Sequence, residues 1–515
     1  VRLDVERASI DHTPWNHPFL TADHIARFRS YSDVIQTEAL EHRQRHPRAL
    51  DAAFAVNMAQ SMYKWASLAA KYGGRGTVYL HPQDHTAISR PEWEEYDGEF
   101  PDVLDGPGFL AASGAQPLNV PVIVPPNEGS ELWGAYARNR QLPPWKGSIK
   151  QFISEHAPAL AMRIFGNPEI AVLRARTPTV RFRPLIELDG MYPNFRFAEL
   201  LAKHEVTYVA SAPFPAYASG KPYCIFSVGG DLQFDAGRKD DYGKAMRLAF
   251  SSARFILVSN PHTLGHCRRL GFDNAVYLPY PMDTDRYAPG AGEARREWVA
   301  RYGGSVFVLT TSRIDKDVKG HSNDLFGAIA EVARARADVR FLFLGWGAQA
   351  DELRARISAL GLAGQLIVLP PVGKKRLIDY YRSSDVVLDT FVYGYYGATA
   401  LEAAATAKPV IMRLRTEHYA PLYRGDVAPV LNASSPAEVR EWLLKLAQSA
   451  TLRLESGAAL REWIVRTHGE QTTAPLMLAL LQLAADRKPA GNPADNPLRA
   501  PLSTEEREYH EQCLQ

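Results

Sequence analysis

Residues 383–412, SSDVVLDTFVYGYYGATALEAAATAKPVIM, decide how the rest of the chain is read. Val386, Val387 and Leu388 form an apolar run between polar residues, the pattern of a short buried strand. A loop rich in Gly and Tyr follows over 393–397, including Tyr393, Tyr395 and Tyr396. A stretch of Ala and Leu over 399–407 then carries one acid, Glu402. Lys408-Pro409 ends that helix, because proline brings no amide hydrogen to continue it, and Val410, Ile411 and Met412 begin a new strand. Strand, glycine loop, helix, strand is a βαβ unit. Its loop leaves backbone N–H groups at a helix N-terminus, where those donors and the helix dipole hold an anion. A buried βαβ unit whose glycines only make turns shows the same pattern, so this stretch alone does not choose between a phosphate site and plain architecture.

Bulk properties narrow the field. At 515 residues the chain is too long for one ordinary core. Its 59 basic and 57 acidic residues nearly cancel, which argues against a nucleic-acid protein. Cys224, Cys267 and Cys513 lie far apart, with neither ligand spacing nor a disulfide framework, which points to a reducing compartment. APLMLALLQLAA near the C-terminus is too short to span a membrane and follows helical periodicity. VRLDVERASI at the start has no signal-peptide pattern. The expected location is cytoplasmic, with peripheral contact at the inner face of a membrane allowed.

Outward from the opening stretch, strands and helices alternate in two runs. Residues 1–49 are a polar extension with a helix over 21–45 that Thr21 caps. Residues 50–284 alternate as a Rossmann-like domain, interrupted over 81–148 by a segment rich in Pro, Gly and Trp. Irregular sequence of that length inside a domain reads as an active-site insertion or lid, and Trp93, Trp133 and Trp145 offer faces for a sugar ring. His81, Asp84 and His85 lie close together there but read as ordinary surface chemistry rather than a metal site. Residues 285–484 form a second Rossmann-like domain, and 485–515 a flexible tail. The fold class expected is α/β, two doubly wound parallel sheets facing a cleft where ligands sit off the C-terminal strand ends.

Chemistry gathers at the strand ends of the second domain. Arg313 closes SVFVLTTSR, and Lys319-Gly320 follows. Gly345 and Gly347 close DVRFLFLGWG, while Gly397 and Thr399 open the helix that carries Glu402. An Arg and a Lys meeting a helix N-terminus match a diphosphate, and a carboxylate one turn into that helix can accept hydrogen bonds from paired sugar hydroxyls. Singly, each of these residues reads equally as a solvated charge or a turn.

Over 200–470, most strongly over 305–412, the chain resembles the retaining glycosyltransferases of family 4, which have the GT-B fold. SVFVLTTSR with a later KG, FLFLGWG, LPPVG, SDVVLDT and GATALEA with KPVI carry the likeness. The resemblance implies transfer of a sugar from a nucleotide-sugar (UDP-, GDP- or other NDP-sugar) to a sugar-containing or other acceptor, with retention and with no metal or cofactor. It assigns Arg313 and Lys319 to the leaving diphosphate and Glu402 to the donor ribose. The backbone of Tyr396, Gly397, Ala398 and Thr399 falls to the phosphates, with Gly345 and Gly347 on the same rim. Two positions depart from the family: Gly394 stands where a first glutamate contacts the donor sugar, and Val228-Gly229 where His-Gly is common. Gly229, Gly230, Asp231 and Asn57 are the first-domain cleft candidates, Asp231 as a replacement polar contact or a plain turn. Other GT-B chemistry (inverting transfer, an epimerase, a phosphorylase) and a non-catalytic nucleotide-sugar binding subunit remain the alternatives, the last favoured by Gly394 and Val228.

Overall fold

A computed structural model describes residues 19–57, 61–81, 86–100, 102, 105–125, 195–211, 213–239, 241–314, 323–347, 349–391 and 394–512. Two parallel sheets organise them. The first runs β3-β2-β1-β4-β5-β6-β7, built from Asp51–Ala55 (β1), Arg75–Tyr79 (β2), Val122–Ile123 (β3), Val206–Ala210 (β4), Tyr223–Phe226 (β5), Phe255–Val258 (β6) and Ala275–Tyr277 (β7). Strands β4, β5 and β6 are buried along their whole length, which is why these segments read as continuous apolar runs rather than alternating ones. The extension forms a long helix, α1 (Ala22–Arg45), with the Thr21 hydroxyl accepting from the His24 amide at 3.2 Å. Between β1 and β2 runs α2 (Ser61–Lys71), which buries Met62, Trp65, Ala66 and Ala69. Trp65 stacks on Tyr208 at 5.3 Å and meets Phe226 edge-on at 4.5 Å, so the helix is keyed to β4 and β5. After β6 comes α3 (Pro261–Leu270), stopped by Gly271 in the left-handed conformation.

The second sheet runs β10-β9-β8-β11-β12-β13, from Val306–Thr310 (β8), Val339–Leu344 (β9), Leu366–Leu369 (β10), Val386–Leu388 (β11), Val410–Met412 (β12) and Leu431–Asn432 (β13). The helices that matter for the site are α4 (Lys374–Ser383), α5 (Ala398–Ala405) and α6 (Thr416–Leu422). The βαβ unit expected from the opening stretch is β11, α5 and β12, with β11 and β12 paired in parallel.

Two boundaries differ from those expected. The C-terminal helices are α7 (Ala450–His468) and α8 (Glu470–Ala485), and α8 leaves the second domain at Gly469 to pack with α1, α2, β4 and β5. Its residues 477–481 are wholly buried because they complete the core of the first domain. The crossing is pinned where the Met282 amide donates to the His468 carbonyl at 2.9 Å and the His468 ring meets the Tyr280 carbonyl at 3.0 Å. The tail expected to be flexible also docks. Arg268 pairs with the buried Glu506 through two hydrogen bonds, and Asn496 donates to the Asp273 carbonyl at 2.7 Å. The extension is a brace: Gln36 donates to the Tyr277 carbonyl, Arg43 to Gln482, and Arg424 of the second domain pairs with Asp33. No helix among the described residues is long and apolar enough to cross a membrane.

Candidate functional site at the cleft

The tips of β8, β9 and β10 are locked together. The Gly345 amide donates to the Leu369 carbonyl at 2.7 Å, the Ile314 amide to the Trp346 carbonyl at 2.8 Å, and the Trp346 indole to the Thr311 carbonyl at 2.9 Å. Gly347 has φ +113°, and a β-carbon there would stand 2.6 Å from the Ile314 carbonyl oxygen and 2.9 Å from Arg313 Cγ. Gly345 and Gly347 therefore let two strand tips touch, and Arg313 is presented to solvent at that junction. Lys319 lies outside the described residues, as do Tyr393, Asp84, His85, Trp133 and Trp145.

At the neighbouring strand ends, α5 begins at Gly397 with no side-chain cap, and Gly397 is exposed while Ala398 and Thr399 are half-buried. The first turn of this helix thus faces the crevice with amide donors that no described side chain caps. The Tyr396 side chain turns inward beneath this loop. Its ring is buried, stacked on Tyr419 at 4.6 Å, and its hydroxyl meets Tyr423 and His468. Its amide donates to the Tyr419 hydroxyl at 3.4 Å, and its carbonyl accepts from Asn260 at the start of α3 at 3.2 Å. Tyr396 fastens the loop to the first domain, so its amide is engaged and, of the four backbone positions expected at the phosphates, those of 397–399 remain.

Gly394 has φ +74°, and a β-carbon there would lie 2.6 Å from Arg415 Cγ. The Arg415 amide donates to the Gly394 carbonyl at 2.8 Å. The stem of Arg415 fills the space a side chain at 394 would need, which accounts for glycine where the resembled family has an acid.

Glu402 is one turn into α5 but fully buried. Lys374 Nζ donates to both of its oxygens at 2.7 and 2.6 Å, and Lys64 Nζ, from α2 of the first domain, donates to Oε1 at 2.7 Å. The hydroxyls of Tyr287 and Tyr381 add contacts at 3.2 and 3.3 Å. Burial pushes the carboxyl up, but Lys374 and Lys64 outweigh it and hold it at about 2. Burial holds Lys374 below the ordinary lysine range. Lys64 is also buried, yet Glu402 and Glu94 carry it well above that range. Removing one member of such a buried set strands the others and costs about 3–5 kcal/mol.

Around this node lies a strap formed by residues 92–100. Trp93 donates to the Val372 carbonyl at 2.9 Å, the Phe100 amide to the Pro371 carbonyl at 3.0 Å, and the Gly373 amide to the Gly98 carbonyl at 2.9 Å. Phe100, Phe109 and Ala87 make a small core of their own, against which Trp93, Tyr96 and Trp346 pack. Glu94 and Glu95 are buried; Lys64 lies 3.4 Å from Glu94, and Arg286 lies 3.7 Å from Glu94 and 3.1 Å from Glu95. Residues 92–100 of the expected insertion are therefore a bridge between the domains, lying over the ends of β9 and β10, whereas Val122–Ile123, also within the expected insertion, add the edge strand β3 to the first sheet.

The first-domain candidates turn inward. Asn57 is buried, donating to the Ser89 carbonyl at 2.9 Å and accepting from the Tyr63 amide at 2.9 Å, so it opens α2 and holds the segment before the strap. Asp231 Oδ1 accepts from the Ser227 hydroxyl, the Gly229 amide and the Leu232 amide at 2.7, 3.1 and 2.9 Å. Gly229 needs its φ of +101° for that turn, and Gly230 is half-buried beside it. Burial pushes the Asp231 carboxyl up to about 7, against those hydrogen bonds. Asp231 is thus the keystone of the turn rather than a cleft ligand. Val228 is exposed on this loop.

Sequence reasoning missed Lys64, Lys374, Glu94, Glu95 and Arg286. One signal was present: Lys374-Lys375 directly after Gly373 puts two cations at a helix N-terminus, where the dipole opposes them unless acids are near. Another carboxylate group, Asp283, Asp285 and Glu470, is spaced for a cation. The Lys71 ammonium already sits among them, 2.8 Å from Asp285 and 3.4 Å from Glu470.

Two parallel α/β domains, one with a seven-stranded and one with a six-stranded sheet, facing a cleft define the GT-B class of fold. Residues 305–447 match the family model described as glycosyl transferases group 1. Among curated relatives, a D-inositol 3-phosphate glycosyltransferase of Rhodococcus opacus is 33% identical over 152 residues, 28% of this chain and 34% of that protein. One of Arthrobacter sp. is 26% identical over 221 residues, 42% of this chain and 52% of that protein. The chain thus spans between a third and about half of the length of these relatives. Among solved structures, sucrose-phosphate synthase of Thermosynechococcus elongatus superposes with TM-score 0.53 at 13% identity, covering 86% of this chain and all of that one. Anabaena HepE in complex with UDP and glucose gives 0.53 at 12%, covering 84% and 99%. At these identities the superpositions speak to the fold.

Proposed function

We propose that the protein is a glycosyltransferase that moves a sugar from a nucleotide-sugar donor to an acceptor hydroxyl, with retention of configuration and without a metal ion. The observation that carries this reading is the uncapped N-terminus of α5, which follows β11 at the same edge of the sheet where Arg313 follows the neighbouring β8. In the transfer, the bond from the anomeric carbon to the diphosphate oxygen breaks and a bond to the acceptor oxygen forms on the same face. The acceptor proton passes to the departing phosphate, so no strong base of the protein is needed. Negative charge grows on that phosphate, and donors in place beforehand (the amides of 397–399 and Arg313) stabilise it most where it is largest, with Lys319 as the second cation of the reading. Glu402 serves the donor ribose. HepE, a structural neighbour, was solved with UDP and glucose, which agrees with a diphosphate at this crevice. The relatives match over too little of the chain to carry their acceptor across, so the acceptor is defined only as a hydroxyl entering from the first-domain side.

The closure of the space beside Gly394 by Arg415 favours a second reading, a subunit that binds the nucleotide without turnover. A thermal-shift series with UDP, GDP, ADP and dTDP tests the common part. One nucleotide is expected to raise the melting temperature by a few degrees, about what 1–3 kcal/mol of binding gives for a chain this size, and Arg313→Ala to remove most of the rise. If none stabilises the protein, both readings fall. Release of the nucleotide from its sugar conjugate separates them, and NMR of the product's anomeric proton decides retention.

A further inference from the structure

We propose that Lys64 is a positioning residue that links occupancy of the donor pocket to the seating of the 92–100 strap, through a latch on Glu402 that a nucleotide ribose must displace. This rests on the assignment of Glu402 to the ribose. An ionised carboxylate offers about four acceptor positions, and Lys374, Lys64, Tyr287 and Tyr381 take them all. A ribose diol comes as a pair of donors and needs the same lone pairs. Binding it to Glu402 therefore displaces two of these donors, and Lys64, held by a single bond and with Glu94 as a second partner, is the cation that can leave.

Lys64 makes the exchange an interdomain event. It stands on α2 in the first domain, while Glu402 and Lys374 stand on α5 and α4 in the second. It also faces Glu94 of the strap at 3.4 Å, and Lys375 faces Glu95 at 3.6 Å. Arg286 also holds Glu94 and Glu95, and backbone bonds tie the strap to 371–375, at the C-terminal end of β10, where ligands of parallel sheets lie. Latch and strap therefore hold one end of the crevice together. When the ribose takes Glu402, the Lys64 ammonium is left with Glu94 alone, and the donor's diphosphate is the anion that replaces the lost partner. Tyr381 ties this exchange to the catalytic rim, since its hydroxyl lies 3.3 Å from Glu402 and 3.1 Å from Thr311, two residues before Arg313.

The test is hydrogen–deuterium exchange on the full chain, with nucleotide binding measured alongside. In the wild type, saturating UDP, GDP or ADP, whichever binds, is expected to raise exchange at the amides of 98–100 and 373–375. Lys64→Gln and Lys64→Met are expected to show that rise without nucleotide. They are also expected to bind the nucleotide about tenfold tighter, as for a pocket free in about a tenth of molecules and then released, and to lower the donor KM. A lysine with only a structural role would lower the melting temperature and leave KM and affinity in place. Unchanged strap exchange in both folded variants, or nucleotide affinity that stays or weakens, overturns the latch. Should both variants fail to fold, the wild type decides, and exchange that falls or holds on binding overturns it. If no nucleotide binds wild type or variants, the transferase reading fails, and the latch is judged by the nucleotide-free comparison.

Discussion

Asp231 divides its two oxygens unequally. Oδ1 collects three donors, whereas Oδ2 is buried with no partner among the described residues. An ionised carboxylate there pays for desolvation on the bare oxygen, and a proton on it relieves most of that cost. With the carboxyl at about 7 in the folded protein against an ordinary 3.8, the folded state keeps a proton that the unfolded chain gives up. Stability from this group is complete below about pH 4, falls by up to about 1.4 kcal/mol per pH unit, and is lost above pH 7. Because the buried His468, held at about 4, contributes the opposite slope below pH 6.5, the test is the difference: in urea unfolding from pH 4.5 to 7.5, Asp231→Asn is expected to lose this falling component relative to the wild type whatever its own baseline. An unchanged slope would show that another group carries it. The residues legible in the sequence are those whose role is set by neighbours a few positions away. Gly345 and Gly347 end a strand, Gly397 opens a helix, and Thr21 caps one. Those that sequence misplaces depend on partners far along the chain: Glu402 on Lys64, 338 positions before it, and Gly394 on the stem of Arg415. Asp231 reads as a cleft group because its sequence neighbours are polar and glycine-rich, but it spends its acceptor oxygen on the turn itself.

Among elements, the strap is the one that spacing could not place. Its Pro, Gly and acid content marks it as irregular, but irregular sequence carries no period from which a docking face can be read. Its seat depends on Gly373, the N-cap of α4. A β-carbon at 373 would lie 2.2 Å from the Tyr96 carbonyl oxygen, a backbone atom of the strap. The backbone at 373 has an ordinary extended φ of −64°, so alanine fits the second domain and clashes only with the strap. Gly373→Ala is therefore expected to unseat 92–100 while leaving the second sheet intact. Limited proteolysis should cut the variant within the strap at a rate several-fold above wild type, with far-ultraviolet circular dichroism unchanged. Equal cleavage rates would mean that the strap is held by its aromatic contacts with Trp346 rather than by this backbone seat. By contrast, β11, α5 and β12 are legible in full, because each has one dominant period and Lys408-Pro409 marks the stop.

At the scale of the whole molecule, the boundary between the domains is not a point in the sequence. Alternating strands and helices identify both sheets, but periodicity says only that α8 is apolar, not which core it enters. Leu478, Ala479, Leu480 and Leu481 are fully buried, and α8 packs on α1, α2, β4 and β5. At about 1.5–3 kcal/mol for each large buried aliphatic side chain, the first domain draws a large part of its stability from a helix encoded beyond the whole second sheet. Lys71, Thr284 and Arg461 tie the crossing down, with Thr284 donating twice to Glu470 and Arg461 donating to the Thr284 carbonyl. The two halves are thus expected to fold only together. Residues 1–284 expressed alone should lack a cooperative melt or aggregate, residues 285–515 alone should self-associate through the uncovered face of α8, and co-expression should return a stoichiometric complex on size exclusion. A monomeric 1–284 fragment with a sharp melt would show that the first core closes without α8. Since α8 enters that core from the end of α7, it also limits how far the two sheets can part, so the crevice is expected to open at its strap side, hinged where Met282 meets His468.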